Sequence, residues 1–240
     1  MQEEARRVLA AAIVEAFETG NPIAPLAPAL RPASAAEGEA VAEEVLDALG
    51  LAPCGLRLVR QADGGWLAGP MLDTRLLRDG AAIAMPALRH PRVCAAAIGV
   101  LAEPLTPEDS HAPRLAAVHA ALDIGATRFR DGAADTAQSV ADLADLGFVV
   151  AGKRAAMPSA PVAASCAAEP KRPRGAPADL AAAFMAAAEV ARRLGGLPAG
   201  ALLVVAGLTP AMTPKAAEAW TARLAGIGRA RAEFRTETTA

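Results

Sequence analysis

The hydrophobic positions of this chain follow a helical period near the start and a strand period from residue 54 onward. Between Glu3 and Thr19 the apolar residues recur every three or four positions, which predicts an amphipathic helix rather than a signal peptide. The side of this helix that we expect to face the core consists of Val8, Leu9, Ala12, Ile13, Ala16 and Phe17.

A second helix is predicted after a proline-rich segment. Prolines at positions 22, 25, 28 and 32 predict an extended, polyproline-like stretch. Ser34, followed three residues later by Glu37, has the capping-box pattern of a helix N-terminus. Gly50 is typical of a helix end. The sequence therefore predicts a second helix that runs to Leu49.

The central prediction for the rest of the chain is a buried strand within residues 86–101. No charged residue interrupts Val93 to Leu101, and its apolar side chains fall on both faces of a strand. We therefore expect other elements to cover both faces. Further strands are predicted at residues 54–61, 81–85, 147–152, 201–207 and 229–236.

The remaining segments have weaker patterns. Residues 115–122 predict a short apolar strand, and residues 123–129 predict a further strand and bend. The proline- and alanine-rich residues 157–177 predict a surface crossover, and residues 218–224 predict a short helix or turn. Asp179 is a good N-cap for a helix that ends at Leu194.

Helices come first, followed by many strands and one late helix. This order predicts the α+β class with a mixed or largely antiparallel sheet system. We expect an N-terminal helical and proline-rich region at residues 1–52 and a β-rich region at residues 53–240, packed as one unit. The sequence has no GxGxxG, GxxxxGK[ST] or GxSxG motif, so dinucleotide-binding, P-loop and nucleophile-elbow functions have no motif support.

Composition narrows the function classes further. Of the 240 residues 53% are apolar and only 3% aromatic, with no tyrosine, so base stacking on aromatic side chains is not expected. The net charge of −2 gives no overall attraction to nucleic acid or to an anionic membrane. Three widely spaced cysteines, with no CxxC pair, favour a reduced, cytoplasmic protein.

Seven segments of the chain form a recognisable series in their order and spacing. They are GNPIAPLAPAL, CGLRL, PRVCAAAIGVL, HAALDIGATRF, VADLADLGFVVAG, LPAGALLVVAGLTPA and LAGIGRARAEF. Together they resemble the 2-keto-4-pentenoate hydratases of the fumarylacetoacetate hydrolase superfamily. The resemblance extends over nearly the whole chain and implies a mixed β-roll with N-terminal and flanking helices.

The resemblance implies chemistry that depends on magnesium or manganese, held by two glutamates of a Glu-x-Glu strand and a third carboxylate. Alternate strand positions point to the same face, so such a pair delivers two hard oxygen ligands. In this chain the corresponding positions are Cys94, Ala96 and Asp123. One carboxylate is too few for a magnesium site, so we expect the cation to be lost.

Two other departures concern charged and polar positions. Arg57 stands where the family has a lysine, and Leu143 stands where it has an asparagine, although Asp142 is kept. Arginine keeps its proton, so it cannot transfer one, but it could clamp a substrate carboxylate. The resemblance also places Thr209 beside the ligand pocket.

We therefore assign Asp123 as the candidate catalytic residue, and Arg57 and Thr209 as candidate substrate-binding residues. Each has a structural alternative. Asp123 could pair with Arg128 or cap a turn, Arg57 could lie at the surface beside Arg60, and Thr209 could make a turn hydrogen bond.

A rewired metal site is a further alternative. Cys94, Asp123 and either His90 or His119 could hold zinc or another soft metal. Against this, the spacing matches no metal signature, and Cys94 is equally typical of a small buried hydrophobe. His111, in an acidic loop, is expected to be solvated.

Two functions follow from the sequence. The first is a hydratase or related lyase that acts on small 2-oxo or 2-hydroxydienoic acids with an altered site. The second is a catalytically silent protein of the same fold that acts as a binding or partner subunit. In both cases a small carboxylate is the expected ligand and a homo-oligomer is the default expectation.

Overall fold

The computed structural model describes residues 1–236 and has the α+β architecture that the sequence predicts. Within these residues, two sheets of seven and five strands are flanked by four α-helices. The helices are α1 (Glu3–Thr19), α2 (Ala35–Leu49), α3 (Thr136–Ala141) and α4 (Leu180–Arg193). None of the helices in this part of the chain is long and apolar enough to cross a membrane.

The predicted helix ends are confirmed by the cap geometry. The Ser34 side chain accepts a hydrogen bond from the Glu37 amide at the start of α2. Asp179 caps α4 in the same way. Gly20 and Gly50 end α1 and α2 with φ of 74° and 62°, a backbone region that glycine adopts without steric cost.

The strands form two mixed sheets. The seven-stranded sheet has the order β2-β1-β10-β5-β6-β7-β3, and the five-stranded sheet has the order β4-β12-β11-β8-β9. Their bounds are β1 Gly55–Arg60, β2 Trp66–Met71, β3 Leu76–Arg78, β4 Ala81–Ala84, β5 Arg92–Leu101, β6 Leu115–Gly125, β7 Leu146–Ala155, β8 Val162–Ala168, β9 Ala176–Ala178, β10 Leu202–Ala206, β11 Ala219–Leu224 and β12 Gly228–Arg235.

The uncharged stretch of β5 is covered on both faces, as the sequence predicts. Cys94, Ala96 and Ile98 belong to a core that includes apolar residues of α1 and α2. Val93 and Ala95 face a core shared with the five-stranded sheet. Because β5 is buried on both sides, small residues such as alanine let the helices and the second sheet approach it closely.

Three local predictions were wrong. Residues 115–125 form one continuous strand, β6, rather than a short strand followed by a bend. The predicted crossover at residues 157–177 contains β8 and most of β9. The predicted helix or turn at residues 218–224 is β11. Alanine-rich segments carry little strand signal of their own, so pairing with β12 and β8 decides the outcome.

A left-handed turn connects α3 to β7. Leu143, Ala144 and Asp145 have φ of 54°, 55° and 53°, a region that costs energy for residues other than glycine. Gly69 of β2 lies against this turn. A Cβ atom at Gly69 would stand 2.5 Å from the Ala144 Cβ and 3.1 Å from the Leu143 carbonyl oxygen. The close approach of β2 therefore helps to hold the turn in place.

Gly69→Ala is expected to destabilise the protein by about 1–3 kcal/mol, because the added methyl group must displace either β2 or the left-handed turn. The matched control is Gly65→Ala in the same hairpin, where the nearest atom to the new methyl group is the exposed Asp63 carboxylate at 3.1 Å. We expect that variant to change stability by less than about 0.5 kcal/mol. Urea unfolding monitored by circular dichroism measures both, and equal stability of the two variants would contradict the packing argument.

Candidate functional site

A buried ion pair between Arg57 and Asp123 lies at the centre of the candidate site. Arg57 Nε donates to Asp123 Oδ1 over 2.6 Å, and Arg57 Nη2 donates to Asp123 Oδ2 over 2.7 Å. The third bond runs from Arg57 Nη1 to the Ala144 carbonyl oxygen over 2.7 Å. Each of the two side chains is only 2% exposed. The pair therefore joins β1, β6 and the left-handed turn away from solvent.

The electrostatics of this pair favour the charged form of Arg57. Burial alone would lower the pKa of Arg57, but attraction to Asp123 and the hydrogen bonds between them raise that pKa above its ordinary value. Both oxygens of Asp123 are used by the same guanidinium, in the two-pronged geometry that matches the two groups best. Arg57 is thus a fixed, permanent cation beside the Asp123 carboxylate.

Two of the structural alternatives for these residues were wrong. Arg57 is not a surface residue, because it is almost fully buried. Asp123 does not pair with Arg128, whose Nη1 instead lies 3.0 Å from Asp142 Oδ1. Asp142 also accepts hydrogen bonds from the Thr127 hydroxyl and the Arg128 amide. Burial raises the pKa of Asp142 in spite of these partners.

Cys94 stands directly opposite Asp123 in the pairing of β5 with β6. Its Sγ accepts a hydrogen bond from the Gly207 amide at 3.2 Å and lies 3.9 Å from Asp123 Oδ2. Burial, followed by the neighbouring Asp123 charge, raises the pKa of the Cys94 thiol. A thiol that keeps its proton is a poor metal ligand and a poor nucleophile.

The side chains present do not fit a magnesium or manganese ion. Both oxygens of Asp123 are bonded to Arg57, burial raises the pKa of the Cys94 thiol and so favours its protonated form, and the Ala96 side chain has no donor atom. Hard divalent cations need several oxygen ligands. Across residues 1–236, no group of three or more His, Cys, Asp and Glu side chains is arranged to hold a metal.

The two histidines considered for a zinc site lie apart from each other. His90 is exposed, and its Nε2 is 2.9 Å from the Arg130 carbonyl oxygen. His119 lies four residues before Asp123 on β6, and its Nδ1 is 3.0 Å from the Gly152 carbonyl oxygen. The structure therefore gives no support to a site built from Cys94, Asp123 and a histidine.

A cavity of about 860 Å³ opens beside the ion pair. Arg57, Cys94, Asp123 and Thr209 all line it, so the predicted site residues meet at one place, except for Ala96. The Thr209 hydroxyl oxygen accepts a hydrogen bond from the Ala95 amide at 3.0 Å. Its hydroxyl hydrogen stays available for another acceptor. Cavities of this size suit a small organic ligand.

Basic residues line the outer part of this cavity. Arg60, Arg92 and His90 are exposed and belong to its wall. Within residues 1–236, neither Arg60 nor Arg92 takes part in an ion pair at 4.0 Å or less, and the Arg60 guanidinium lies 5.8 Å from the centre of the Trp66 ring. Trp66 is 38% exposed, so the contact between Trp66 and Arg60 lies at the surface.

Sequence reasoning missed two charged residues of this cavity, Arg92 and Asp145. Arg92 is the first residue of β5 and follows a proline, which is typical of the start of a strand and does not by itself indicate a site residue. Asp145 reaches the cavity because of the left-handed turn. A sequence pattern could have indicated Arg92 by its position two residues before Cys94 on the same strand face, but no comparable pattern marks Asp145.

Arg57→Leu is expected to destabilise the protein by about 3–5 kcal/mol, because it leaves the Asp123 carboxylate buried without its partner. The double variant Arg57→Leu/Asp123→Leu should be more stable than Arg57→Leu, since it removes both charges. The control is Arg130→Leu, which breaks the exposed pair with Asp131 and should leave stability unchanged. Chemical denaturation measures all three, and an Arg57→Leu variant as stable as the control would refute the argument.

Comparison with known proteins extends these observations. No protein-family profile matches the sequence, and no curated protein matches it. Among solved structures, the chain is similar to 4-oxalocrotonate decarboxylase from Pseudomonas putida G7, in complex with magnesium and adipate. The TM-score is 0.81 and the identity 20%, over 98% of each chain.

Two further structures are similar over a smaller part of the chain. Fumarylpyruvate hydrolase from Pseudomonas aeruginosa, in complex with Mn²⁺ and pyruvate, gives a TM-score of 0.57 at 13% identity, over 76% of this chain and 89% of the other. The 2-hydroxyhepta-2,4-diene-1,7-dioate isomerase from Mycobacterium marinum gives a TM-score of 0.55 at 12% identity, over 77% of this chain and 75% of the other. The chain therefore has the fold expected from its resemblance to the fumarylacetoacetate hydrolase superfamily.

Proposed function

We propose that this protein binds a small carboxylate of the 2-oxo or dienoic acid class in the cavity beside Arg57 and does so without a divalent cation. The observation that carries this proposal is the buried, two-pronged ion pair between Arg57 and Asp123. It uses both oxygens of the one carboxylate left at the ligand positions that the family resemblance implies.

Displacement of Arg57 by a cation would be costly. The guanidinium would lose its carboxylate partner while it stays almost fully buried. The incoming metal would gain one carboxylate, a protonated thiol and no third side chain. Two charges that satisfy each other in place are more stable than this arrangement. The ion pair thus supports a site that works without magnesium or manganese.

The charge of the outer cavity supports an anionic ligand. Arg60 and Arg92 are exposed guanidinium groups on its wall, and the Thr209 hydroxyl lies deeper. Guanidinium groups bind carboxylates through paired hydrogen bonds. Two separate arginines favour a ligand with two carboxylates. Adipate, present in the structure of the P. putida decarboxylase, is such a molecule.

Two activities are consistent with this fold. The first is hydration or a related lyase reaction, as the resemblance to hydratases implies. The second is ligand binding without that reaction, in a silent or partner subunit. The ion pair favours the second for any step that needs a metal-bound substrate, since Arg57 occupies the Asp123 oxygens.

Adipate and pyruvate are expected to bind equally well in the presence of EDTA and in the presence of magnesium. Isothermal titration calorimetry on chelator-treated protein measures this directly. The same protein should show no binding of Mg²⁺ or Mn²⁺, with or without oxalate as a mimic of a 2-oxo acid enolate. Oxalate-dependent binding of either cation would mean that other groups rebuild the metal site and would overturn the proposal.

Arg92→Gln and Arg60→Gln are each expected to weaken adipate binding by about 10-fold or more, because each removes a charged hydrogen-bond donor worth about 1.5–3 kcal/mol. The control is Arg78→Gln, an exposed arginine of β3 outside the cavity wall. Its dissociation constant for adipate should equal that of the unmodified protein. Equal affinities for all four proteins would place the ligand elsewhere.

A further inference from the structure

Asp145 lines the same cavity, and one oxygen of its carboxyl group is left without a hydrogen-bond partner. Hydrogen bonds fix the backbone at Asp145 and at the residue before it. The Ala144 carbonyl oxygen accepts from Arg57, and the Asp145 carbonyl oxygen accepts from the Ala126 amide at 2.8 Å. The side-chain oxygen Oδ1 of Asp145 is enclosed and has no hydrogen-bond partner. The left-handed turn thus places in the cavity wall a carboxyl group of which one oxygen is enclosed and unpaired.

An unsatisfied buried carboxyl oxygen is costly, and three residues of strained backbone add to that cost. Strain and unpaired polar groups of this kind cluster at functional sites. A ligand that brings a proton or a hydrogen-bond donor to Asp145 would supply the missing hydrogen-bond partner. This makes Asp145 a candidate for contact with a proton-bearing part of the bound ligand rather than with its carboxylate groups.

The surroundings of Asp145 adjust its acidity. Burial, and next the neighbouring Asp142 charge, raise the pKa of Asp145 to about 6. Ser139 of α3, Arg57 of β1 and Arg128 act in the opposite direction. A carboxyl group with this pKa is largely ionised at neutral pH and exchanges protons readily near that pH.

We propose that Asp145 is a proton-transfer residue, which removes and returns a proton at C3 of a bound 2-oxo acid without the participation of a metal. This proposal rests on the proposed function, since it requires the 2-oxo acid to bind in this cavity. It adds an activity, metal-independent exchange between the keto and enol forms, and it assigns that activity to one residue.

The step balances without any oxidant or further reactant. The C3–H bond breaks and its proton moves to the Asp145 carboxylate. The electron pair of that bond forms the C2=C3 double bond, and the C2 carbonyl becomes an enolate oxygen. Return of a proton from Asp145 to C3 restores the keto acid. In deuterated water the carboxyl proton is replaced by deuterium between the two steps, so deuterium enters at C3.

The cavity also has groups that suit the negative charge of the enolate. Arg57 donates three hydrogen bonds within the protein, and a guanidinium has further N–H groups beyond these three. The Thr209 hydroxyl accepts one bond and keeps its own hydrogen. Hydrogen-bond donors already fixed in place are the main means by which proteins stabilise such a charge.

The other titratable groups of the cavity are less suitable for this step. Both oxygens of Asp123 are engaged by Arg57. Burial raises the pKa of Cys94, so that thiol retains its proton at neutral pH. His90 is exposed, with Nε2 directed to the Arg130 carbonyl oxygen. Asp145 is the carboxyl group of this cavity with an oxygen that the protein leaves unpaired.

The test is deuterium exchange at C3 of 2-oxoadipate in D₂O with EDTA, followed by proton NMR. The unmodified protein is expected to accelerate exchange over buffer, and Asp145→Asn should reduce the protein-dependent rate by about 100-fold or more. Asp145→Glu should restore part of it. Asp131→Asn, an exposed acid outside the cavity wall, should leave the rate unchanged.

Two readouts separate a proton-transfer role from a structural one. Asp145→Asn should bind adipate at least as tightly as the unmodified protein, because the change removes a negative charge from the wall of a cavity that holds an anion. It should also melt no lower than the unmodified protein at pH 8, because a folded-state pKa raised to about 6 means that ionised Asp145 destabilises the fold above that pH. The exchange rate should rise as pH increases through the pKa of Asp145 and then level off, and Asp145→Asn should lack this rise.

The possible outcomes distinguish the two proposals. Binding of 2-oxoadipate without exchange above the buffer rate would overturn the role of Asp145 and leave the proposed function intact. No binding of 2-oxoadipate or adipate would overturn the proposed function itself. An undiminished rate in Asp145→Asn would assign the proton transfer to another group, and complete loss of exchange in EDTA would show that a metal is needed.

Discussion

The interaction on which this structure depends most is the buried ion pair of Arg57 and Asp123. It connects β1 with β6, which have two strands, β10 and β5, between them in the sheet, and through the Ala144 carbonyl it also fixes the left-handed turn. Because the two groups are almost fully buried, each is stable only in the presence of the other. The pair therefore holds the sheet together and also lines the cavity.

An internal guanidinium and a bound divalent cation can both neutralise a carboxylate inside a cavity, but they differ in what they leave available to a ligand. A metal keeps open coordination positions for a substrate, whereas Arg57 fills both Asp123 oxygens and offers only its remaining N–H groups. Arg57 in this position can donate hydrogen bonds to an anion but cannot accept any. Such a site suits recognition and modest proton transfer better than reactions that need a strong Lewis acid.

Much of the fold follows from pattern, and much of the site does not. The uncharged run of β5 predicts a doubly covered strand, and Ser34 and Asp179 predict helix starts, all of which the structure confirms. Strands β8 and β11 escape prediction because their alanines carry little strand signal. The partner of Asp123 escapes as well, since Arg57 lies 66 residues away and its burial depends on the whole sheet. The position of Asp145 in the cavity could not be predicted either, because it depends on a left-handed turn and none of the three residues of that turn is a glycine.

The geometry also links the two proposed roles of the cavity, ligand binding and proton transfer, through one short piece of chain. Arg57 binds the carbonyl of Ala144, and the next residue is Asp145. A change at Arg57 therefore removes a cation and also loosens the turn that presents Asp145 to the cavity. Variants of Arg57 alone cannot separate ligand binding from proton transfer, because both should decline together. Asp145→Asn leaves the backbone bonds of the turn and the Arg57 pair in place, since none of them involves the Asp145 side chain. Only a change at Asp145 can assign the two roles to different residues.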